Sequence, residues 1–336
     1  MGWVRRMNKT RVGVIGVGSW GVNHIEAYRA LPHAEVIAVA DSSPGRAEEV
    51  ARTHGIPHWF NNYEELCALR EVDAVSVATP ESDHVQPVEE AAKAGKHILV
   101  EKPIANAVAD IERMIAAARR ADVILMPGHI LRFDTRYALI KEKLESRELG
   151  NVVTVQARRN RTKGNFQKYS RTHPLFAVGV HDIDLLLWYT GSKVTRVRGY
   201  QRTIQQAPTP DVMWGVIEFT SGALGMIETT WLTPDKVGIF SSDTLHLITD
   251  KGVASLDLVP GGLSFWLETG FDVPDTIAPR IRGKVQGSLA AELSYFVSCV
   301  AMNEKPTVVT AEEAMEGIQV ANALVDSANR QQDVVL

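Results

Sequence analysis

Residues 12–21 read VGVIGVGSWG, and this stretch decides the fold expected for the first third of the chain. A short apolar run leads into the pattern GxGxxG, and a helical pattern follows from Val22 to Ala30. Strand, glycine turn and helix in this order are typical of a dinucleotide-binding loop, because glycines allow close backbone approach and a helix amino terminus attracts phosphate. The motif residues expected to bind a cofactor are Gly16, Gly18, Ser19, Trp20 and Gly21.

A carboxylate stands where such a cofactor would present its adenosine ribose. The second apolar run, residues 36–40, ends at Asp41, 25 residues after Gly16. A carboxylate there accepts hydrogen bonds from both ribose hydroxyls and repels a 2′-phosphate, which favours NAD over NADP. Arg46 follows five residues later and is expected to flank the adenine or its ribose. Since an arginine there can accommodate a 2′-phosphate, NADP stays the open alternative.

The chain divides into two parts with different secondary-structure patterns. Apolar runs at residues 12–15, 36–40, 74–78, 97–100 and 123–126 alternate with helical patterns, which predicts a doubly wound parallel sheet, a Rossmann domain over residues 1–128. After Gly128 strand-like runs dominate, with hairpin signals at residues 220–223 and 250–252. We therefore predict an α+β domain over residues 129–336 with a large, mostly antiparallel open sheet.

Bulk composition excludes several classes of protein. The chain has 336 residues, 23% charged residues and a formal net charge of -4, which argues against a nucleic-acid binder. No apolar stretch reaches the roughly 18 residues of a membrane helix. Cys67 and Cys299 are the only cysteines and lack metal-ligand spacing, so we expect no metal site and a reducing cytoplasmic location.

Two further segments fall at the carboxyl ends of predicted parallel strands, where open α/β sheets bind ligands. Ala78-Thr79-Pro80 ends the third strand, and Glu101-Lys102-Pro103 ends the fourth. Pro103 after Lys102 predicts a rigid bend. A cis peptide bond between these two residues is one form that the bend can take. A lysine held there, beside a nicotinamide, could exchange a proton with a substrate oxygen. Taken alone, however, a lysine before a proline is usually a charged residue on the surface.

The ordered set of motifs resembles the glucose–fructose oxidoreductase / inositol dehydrogenase family, Gfo/Idh/MocA, over nearly the whole chain. The segments that carry the resemblance are 14–18, 78–80 with His84, 94–97 running into 101–103, 128–129 with 132–133, and 179–184. The resemblance implies NAD(P)-dependent oxidation or reduction of a carbinol carbon in a sugar, inositol or related compound. It makes Lys102 and His181 the acid/base candidates. Residues expected from it near the cofactor are Thr79, Pro80, His84, Glu101 and Lys102.

One position departs from the family pattern. The family places an aspartate four residues before the histidine, and here that position is Ala177. On one α-helix this spacing would stack Ala177 and His181, so the neighbouring carboxylate is missing. Asp184, His173 and Asp182 are the possible substitutes. The departure also favours an alternative interpretation, a cofactor-binding regulator with reduced catalysis. A weaker alternative is reduction of an imine or a pyrrole.

A basic stretch precedes the His181 helix. Residues 158–171 read RRNRTKGNFQKYSR, with six cations and no acid. Read as a loop, it predicts an anionic substrate held by Arg159 and Arg161, because guanidinium groups match carboxylates and phosphates, with Arg132 as a further contact. The alternatives are a solvated loop or a subunit contact, and for Arg132 a structural brace. We also expect a homodimer or homotetramer, which would cover the second face of the antiparallel sheet.

Overall fold

The computed structural model describes residues 9–237, 241–258, 265–267, 270–272 and 277–336. Contacts divide the chain into two compact units. The first comprises residues 1–134 and 276–315, and the second comprises residues 135–275 and 316–336. The boundary therefore falls six residues after the predicted one, and a carboxyl-terminal segment returns to the first unit.

Strands and helices alternate through the first 128 residues. In chain order they are β1 (Thr10–Ile15), α1 (Ser19–Ala30), β2 (Ala34–Ala40), α2 (Arg46–His54), β3 (His58–Phe60), α3 (Tyr63–Ala68), β4 (Ala74–Val77), the 3-10 helix Glu81–Asp83, α4 (Val85–Lys93), β5 (His97–Glu101), α5 (Val108–Ala121) and β6 (Leu125–Gly128). The six strands form one parallel sheet in the order β3-β2-β1-β4-β5-β6. The predicted doubly wound Rossmann sheet is confirmed, with β3 as an additional edge strand.

The centre of this sheet is mostly apolar. Val12 and Val14 of β1, Val75 and Val77 of β4 and Ile98 of β5 have no exposed surface. Strands covered by helices on both faces need apolar residues at consecutive positions. They therefore appear in the sequence as apolar runs and not as alternating apolar and polar residues. Their carboxyl ends bring the glycine loop, Asp41 and the segments after β4 and β5 to one edge.

The middle of the chain contains most strands of the second sheet, several helices and one separate pair of short strands. Its elements are the 3-10 helix Ile130–Phe133, α6 (Thr135–Glu145), β7 (Val152–Thr162), α7 (Lys163–Tyr169), a π-helix (Leu175–Gly179), α8 (Val180–Thr190), β8 (Val194–Arg202), β9 (Val212–Phe219), β10 (Leu224–Thr233), the 3-10 helix Asp235–Val237, β11 (Ser241–Thr249), β12 (Val253–Asp257), β13 (Phe265–Leu267) and β14 (Gly270–Asp272). The predicted strand 263–267 lies partly outside the described residues. Both predicted hairpins are present, as β9–β10 and β11–β12.

The last elements serve both units. They are β15 (Arg280–Ile281), β16 (Lys284–Val285), α9 (Gly287–Met302), α10 (Ala311–Arg330) and β17 (Val334–Val335). Helix α9 packs against α1, which is why residues 276–315 belong to the first unit. Thr310 and Glu313 form the predicted capping box of α10, since the Glu313 amide donates to Thr310 Oγ1 at 3.2 Å and the Thr310 amide to Glu313 Oε2 at 2.9 Å.

The second unit is organised around a seven-stranded sheet. Its order is β12-β11-β7-β10-β9-β8-β17, and every neighbouring pair is antiparallel except β7 and β10. The prediction of a mostly antiparallel sheet is therefore confirmed. Within the described part of the chain, no helix has the length and apolar character to cross a membrane.

Candidate active site

The glycine loop has the shape of a dinucleotide cradle. Gly16 has a φ of 84°, and a Cβ there would lie 2.7 Å from the Thr79 amide nitrogen, so only glycine allows this contact with the chain after β4. A Cβ at Gly21 would overlap the Gly16 carbonyl oxygen. A Cβ at Gly18, in contrast, would meet no atom within 4 Å, and Gly18 and Ser19 are exposed. The side of the loop at Gly18 is thus open to a ligand, and no side chain caps the amino terminus of α1. These features fit a bound pyrophosphate.

Asp41 and Arg46 are both fastened to the same residue of this loop. Asp41 Oδ2 accepts from the Val17 amide at 2.9 Å, and its Oδ1 accepts from the Ser43 amide at 2.9 Å. The Arg46 Nε donates to the Val17 carbonyl at 2.9 Å. Asp41 is partly exposed at the end of β2, as a ribose-binding carboxylate must be. The structure thus places Asp41 and Arg46 together at the loop.

The lysine candidate follows a buried carboxylate. Lys102 is half-buried, and its peptide bond to Pro103 is cis. The Lys102 amide donates to Glu101 Oε2 at 3.2 Å, while Glu101 Oε1 lies 2.9 Å from His24 Nε2. Burial would raise the pKa of Glu101, but the hydrogen bond and charge of His24, aided by Trp20 and Lys102, hold that pKa below its usual value. Glu101 is therefore an ionised internal anchor for the Lys102 backbone, and the prediction that Glu101 is a cofactor contact has a structural alternative.

His84 links two backbone segments at the carboxyl edge of the sheet. Its side chain is buried, with Nδ1 3.0 Å from the Pro103 carbonyl oxygen and Nε2 3.0 Å from the Thr79 carbonyl oxygen. Because both ring nitrogens face backbone oxygens, His84 ties the segment after β4 to the one after β5, and its contact with the cofactor stays a prediction. Thr79 and Pro80 lie at the predicted strand end, where Thr79 Oγ1 donates to the Asp83 carbonyl at 3.1 Å.

In the second unit, His181 is the second residue of α8 and is half-buried. Ala177 lies in the preceding π-helix, not in α8. A π turn contains more residues than an α turn, so the predicted α-helical stacking of Ala177 and His181 does not apply. Ala177 packs instead on a cluster of Phe166, Val178 and Trp231. The position is apolar in its surroundings as well as in its own side chain.

The basic stretch is not a loop. Residues 158–162 belong to β7 and residues 163–169 form α7. Arg159 is 4% exposed and is bound by two carboxylates, with its Nε 3.0 Å from Asp182 Oδ1 and its Nη1 2.7 Å from Asp243 Oδ2. Arg161 also bonds Asp243, with its Nη1 2.5 Å from Oδ1. Both arginines thus have carboxylate partners within the protein, from α8 and β11, and their contact with an anionic substrate stays a prediction.

Other proposed contributors are also occupied elsewhere. Arg132 is buried, and its Nη1 donates to the Val308 carbonyl at 2.7 Å and to Glu313 Oε2 at 3.1 Å, two residues of the same unit. Asp182 cannot replace the missing carboxylate while it pairs with Arg159. His173 Nε2 lies 3.2 Å from Gln201 Oε1, and burial lowers its pKa despite that hydrogen bond. Among the described residues, no group of three or more His, Cys, Asp and Glu side chains is placed to hold a metal ion.

Sequence patterns missed two residues near this site, His24 and Glu292. His24 lies on the buried face of α1, and Glu292 lies fully buried in α9. The only signal in the sequence is a polar residue among apolar neighbours on a helix face.

Family models match both units. Residues 10–129 match the model described as "Oxidoreductase family, NAD-binding Rossmann fold", and residues 137–255 match the "GFO/IDH/MocA C-terminal domain". The chain belongs to this family. The resemblance seen in its motifs is thereby confirmed, and the first unit carries an NAD-binding Rossmann domain.

Curated relatives and solved structures span most of the chain. A scyllo-inositol 2-dehydrogenase (NAD(+)) of Bacillus subtilis is 27% identical over 335 residues, covering 95% of this chain and 94% of the relative. A myo-inositol 2-dehydrogenase of Thermotoga maritima is 31% identical over 225 residues, covering 65% and 67%. The crystal structure of a scyllo-inositol dehydrogenase from Lactobacillus casei with bound NAD(H) and scyllo-inositol has a TM-score of 0.84, 20% identity and coverage of 98% and 99%, which shows a common fold.

Proposed function

We propose that this chain is an NAD-dependent dehydrogenase that oxidises a secondary alcohol of an inositol or a related cyclic polyol, or reduces the corresponding ketone. The observation that carries the proposal is the placement of Lys102 directly after the buried Glu101 anchor, in the same Rossmann unit as the open Gly18 turn. The substrate class follows the names of the relatives, two of which are inositol dehydrogenases.

Each candidate residue has a defined task in this proposal. When bound, NAD⁺ supplies the acceptor for the hydride that leaves the carbinol carbon. Asp41 accepts hydrogen bonds from the adenosine ribose hydroxyls, and the glycine loop holds the pyrophosphate. One of the two acid/base candidates, Lys102 or His181, takes the single proton of the hydroxyl group, and the other orients the substrate oxygen. Ala177 provides no carboxylate, so any acid/base partner of His181 differs from the family's aspartate.

A neutral polyol suits the proposed site better than an anionic sugar. The anionic hypothesis rested on Arg159, Arg161 and Arg132. The two strand arginines are matched by Asp182 and Asp243, and Arg132 by Glu313. No charge on these three side chains is therefore assigned to a substrate.

The test is an NADH absorbance assay with scyllo-inositol, myo-inositol, glucose, a uronate and a nucleotide sugar. We expect turnover with at least one cyclic polyol and a lower kcat/KM for the acidic compounds. Turnover restricted to acidic substrates would overturn the substrate class. Lys102→Met serves as the variant that should abolish the signal with the best substrate.

The apolar packing of Ala177 favours a second candidate, an NAD-binding regulator of the same fold. Under that candidate the protein quenches or enhances NADH fluorescence on binding but turns over no member of the panel. Binding with turnover therefore excludes it, and binding without turnover supports it.

We also propose that the chain forms a homo-oligomer through the second face of its seven-stranded sheet. Large apolar side chains are exposed there on two pairs of neighbouring strands, β9 with β10 and β11 with β12. They are Trp214, Leu224, Met226, Ile248 and Val253. Several exposed apolar side chains on one face of a sheet are typical of subunit interfaces. Light scattering should give a dimer or tetramer mass, and Trp214→Glu combined with Met226→Glu should lower it to that of a monomer. A wild-type monomer would contradict the proposal.

The two cysteines are buried free thiols, which supports a reducing, cytoplasmic location.

A further inference from the structure

A buried polar cluster lies behind the Glu101–Lys102 segment. Its members are His24 and Tyr28 of α1, Ser76 of β4, Glu101 of β5 and Glu292 of α9, and we call it the acid cluster. His24, Tyr28, Ser76 and Glu292 have no exposed surface, and Glu101 is 7% exposed. His24 bridges the cluster, with Nε2 2.9 Å from Glu101 Oε1 and Nδ1 3.4 Å from Ser76 Oγ. The Tyr28 hydroxyl lies 2.7 Å from Ser76 Oγ.

The two carboxyl groups of the acid cluster have unequal surroundings. Glu101 has hydrogen bonds from His24 and from the Lys102 amide. Both carboxyl oxygens of Glu292 are buried and have no hydrogen-bond partner among the described residues. An ionised carboxylate buried without a partner is far more costly than a neutral acid, and two nearby buried carboxyl groups ionise one at a time. The environment therefore allows the negative charge on Glu101 and disfavours one on Glu292.

Electrostatics agree with this geometry. Burial, followed by the charge of Glu101, raises the pKa of Glu292 well above its usual value. Within the cluster, burial also raises the pKa of Tyr28, and from outside the cluster the charge of Lys102 lowers the pKa of Glu101. Among the described residues, no basic side chain forms a hydrogen bond with either carboxyl oxygen of Glu292.

We propose that Glu292 is a positioning residue for Lys102: it carries the proton of the buried carboxyl pair, so that Glu101 alone is charged and holds both His24 and the Lys102 backbone. The cluster then connects the helix that begins at the glycine loop to the strand end that bears the lysine. A second negative charge at Glu292 would repel Glu101 and compete for His24, which would shift the Lys102 backbone. The role of Lys102 itself rests on the proposed function, whereas the location of the proton does not.

The proton is tested by the pH dependence of folding in the protein without cofactor. If folded Glu292 keeps a proton that the unfolded chain loses above about pH 4.3, the folded state binds more protons and stability falls as pH rises. In Glu292→Gln this linkage is absent. From pH 5 upward, the unfolding equilibrium constant of wild type should therefore rise relative to that of Glu292→Gln, by up to about tenfold per pH unit, until the folded pKa is reached. Glu304→Gln, an exposed position just after α9, is the matched control and should show no such trend.

Infrared spectroscopy gives a second readout of the same proton. Wild type at pH 7 should show the carbonyl stretch of a buried protonated carboxyl group, and Glu292→Gln should lack it. A band that persists in Glu292→Gln would place the proton elsewhere. Parallel pH curves for wild type and Glu292→Gln would show that Glu292 is ionised in the folded protein. Either result overturns the proposal.

The positioning role is tested by comparing Glu292→Leu with Glu292→Gln. The amide resonance of Lys102, whose N–H binds Glu101, should shift in Glu292→Leu and return toward the wild-type position in Glu292→Gln, because glutamine is neutral, polar and similar in size to the protonated glutamic acid. With an active polyol substrate, kcat should fall about tenfold or more in Glu292→Leu, and Glu292→Gln should recover most of the loss. Equal behaviour of the two variants would reduce Glu292 to core packing. If wild type turns over no substrate, the proposed function fails, and the amide resonance still decides the positioning role.

Discussion

Arg159 provides the sharpest test of how the second unit is built, because its sequence context and its structure predict opposite outcomes. Its guanidinium group lies between Asp182 of α8 and Asp243 of β11, with a side chain 5% exposed and partners that are 1% and 7% exposed. Removing one member of a buried ion pair leaves an uncompensated charge and costs about 3–5 kcal/mol. Arg159→Met, which keeps the length of the apolar stem, should therefore raise the unfolding equilibrium constant by about 10²- to 10³-fold or more.

Arg161→Met is the matched control. Arg161 binds Asp243 from the same strand, with a side chain 14% exposed, and Asp243 keeps Arg159 when Arg161 is lost. We expect a loss of about 1–2 kcal/mol, nearer to that of an ordinary charge-assisted hydrogen bond. The double variant Arg159→Met with Asp182→Leu should recover part of the loss of Arg159→Met, because the unpaired charge of Asp182 is removed with its partner.

The assay is urea unfolding at pH 7, followed by tryptophan fluorescence, with the midpoint and slope fitted for each variant. The interpretation of residues 158–171 as a substrate loop predicts the opposite, namely unchanged midpoints and a KM raised by about 10-fold or more. An Arg159→Met protein with wild-type stability would refute the buried-network argument.

Three further outcomes are expected. Asp41→Ala should weaken NADH binding and narrow the preference for NADH over NADPH, measured by nicotinamide fluorescence titration; a wild-type preference for NADPH would contradict the assigned role of Asp41. Lys102→Ala should leave the thermal midpoint and NADH affinity nearly unchanged and lower kcat by about 10²-fold or more in the absorbance assay, unless the lysine takes no part in proton transfer. Burial raises the pKa of Cys67 to about 12 and also raises the pKa of Cys299, so neither thiol should react with a disulfide reagent at pH 8 until the protein is unfolded; rapid labelling of the folded protein would argue against that burial.

The parts of the fold that the sequence predicts are those governed by local pattern. The central strands of the first sheet are apolar runs, interrupted in β4 by Ser76, and the glycine loop needs its glycines for steric reasons at Gly16 and Gly21. The edge strand β3, His58–Phe60, has three residues with little burial and gives no pattern. Strand β8 was not predicted for a similar reason: its outward side chains, Arg196, Arg198 and Tyr200, give it the pattern of a polar segment.

The parts that could not be predicted depend on partners distant in sequence. Arg159 lies 23 residues from Asp182 and 84 from Asp243, so the run of cations looked uncompensated although its acids are elsewhere in the same unit. His84 was placed in the right region, but its ring bonds backbone oxygens 5 and 19 residues away. No local sequence pattern indicates that α9 packs in the first unit. The sequence therefore could not show that Glu292 is a neighbour of Glu101.

Both candidate acid/base residues share one local design. Each directly adjoins a buried acid that binds a base from another element: Glu101 precedes Lys102 and binds His24, and Asp182 follows His181 and binds Arg159. A buried ion pair is a poor source of stability compared with apolar packing, but it specifies geometry, because its partners tolerate little displacement. The neighbouring backbone is then fixed on one side by a carboxylate that is itself bound to a basic side chain. It follows that loss of Glu101 or Asp182 should resemble loss of Lys102 or His181 in turnover while differing in stability, so that kinetic data alone would assign these acids to the chemistry by mistake.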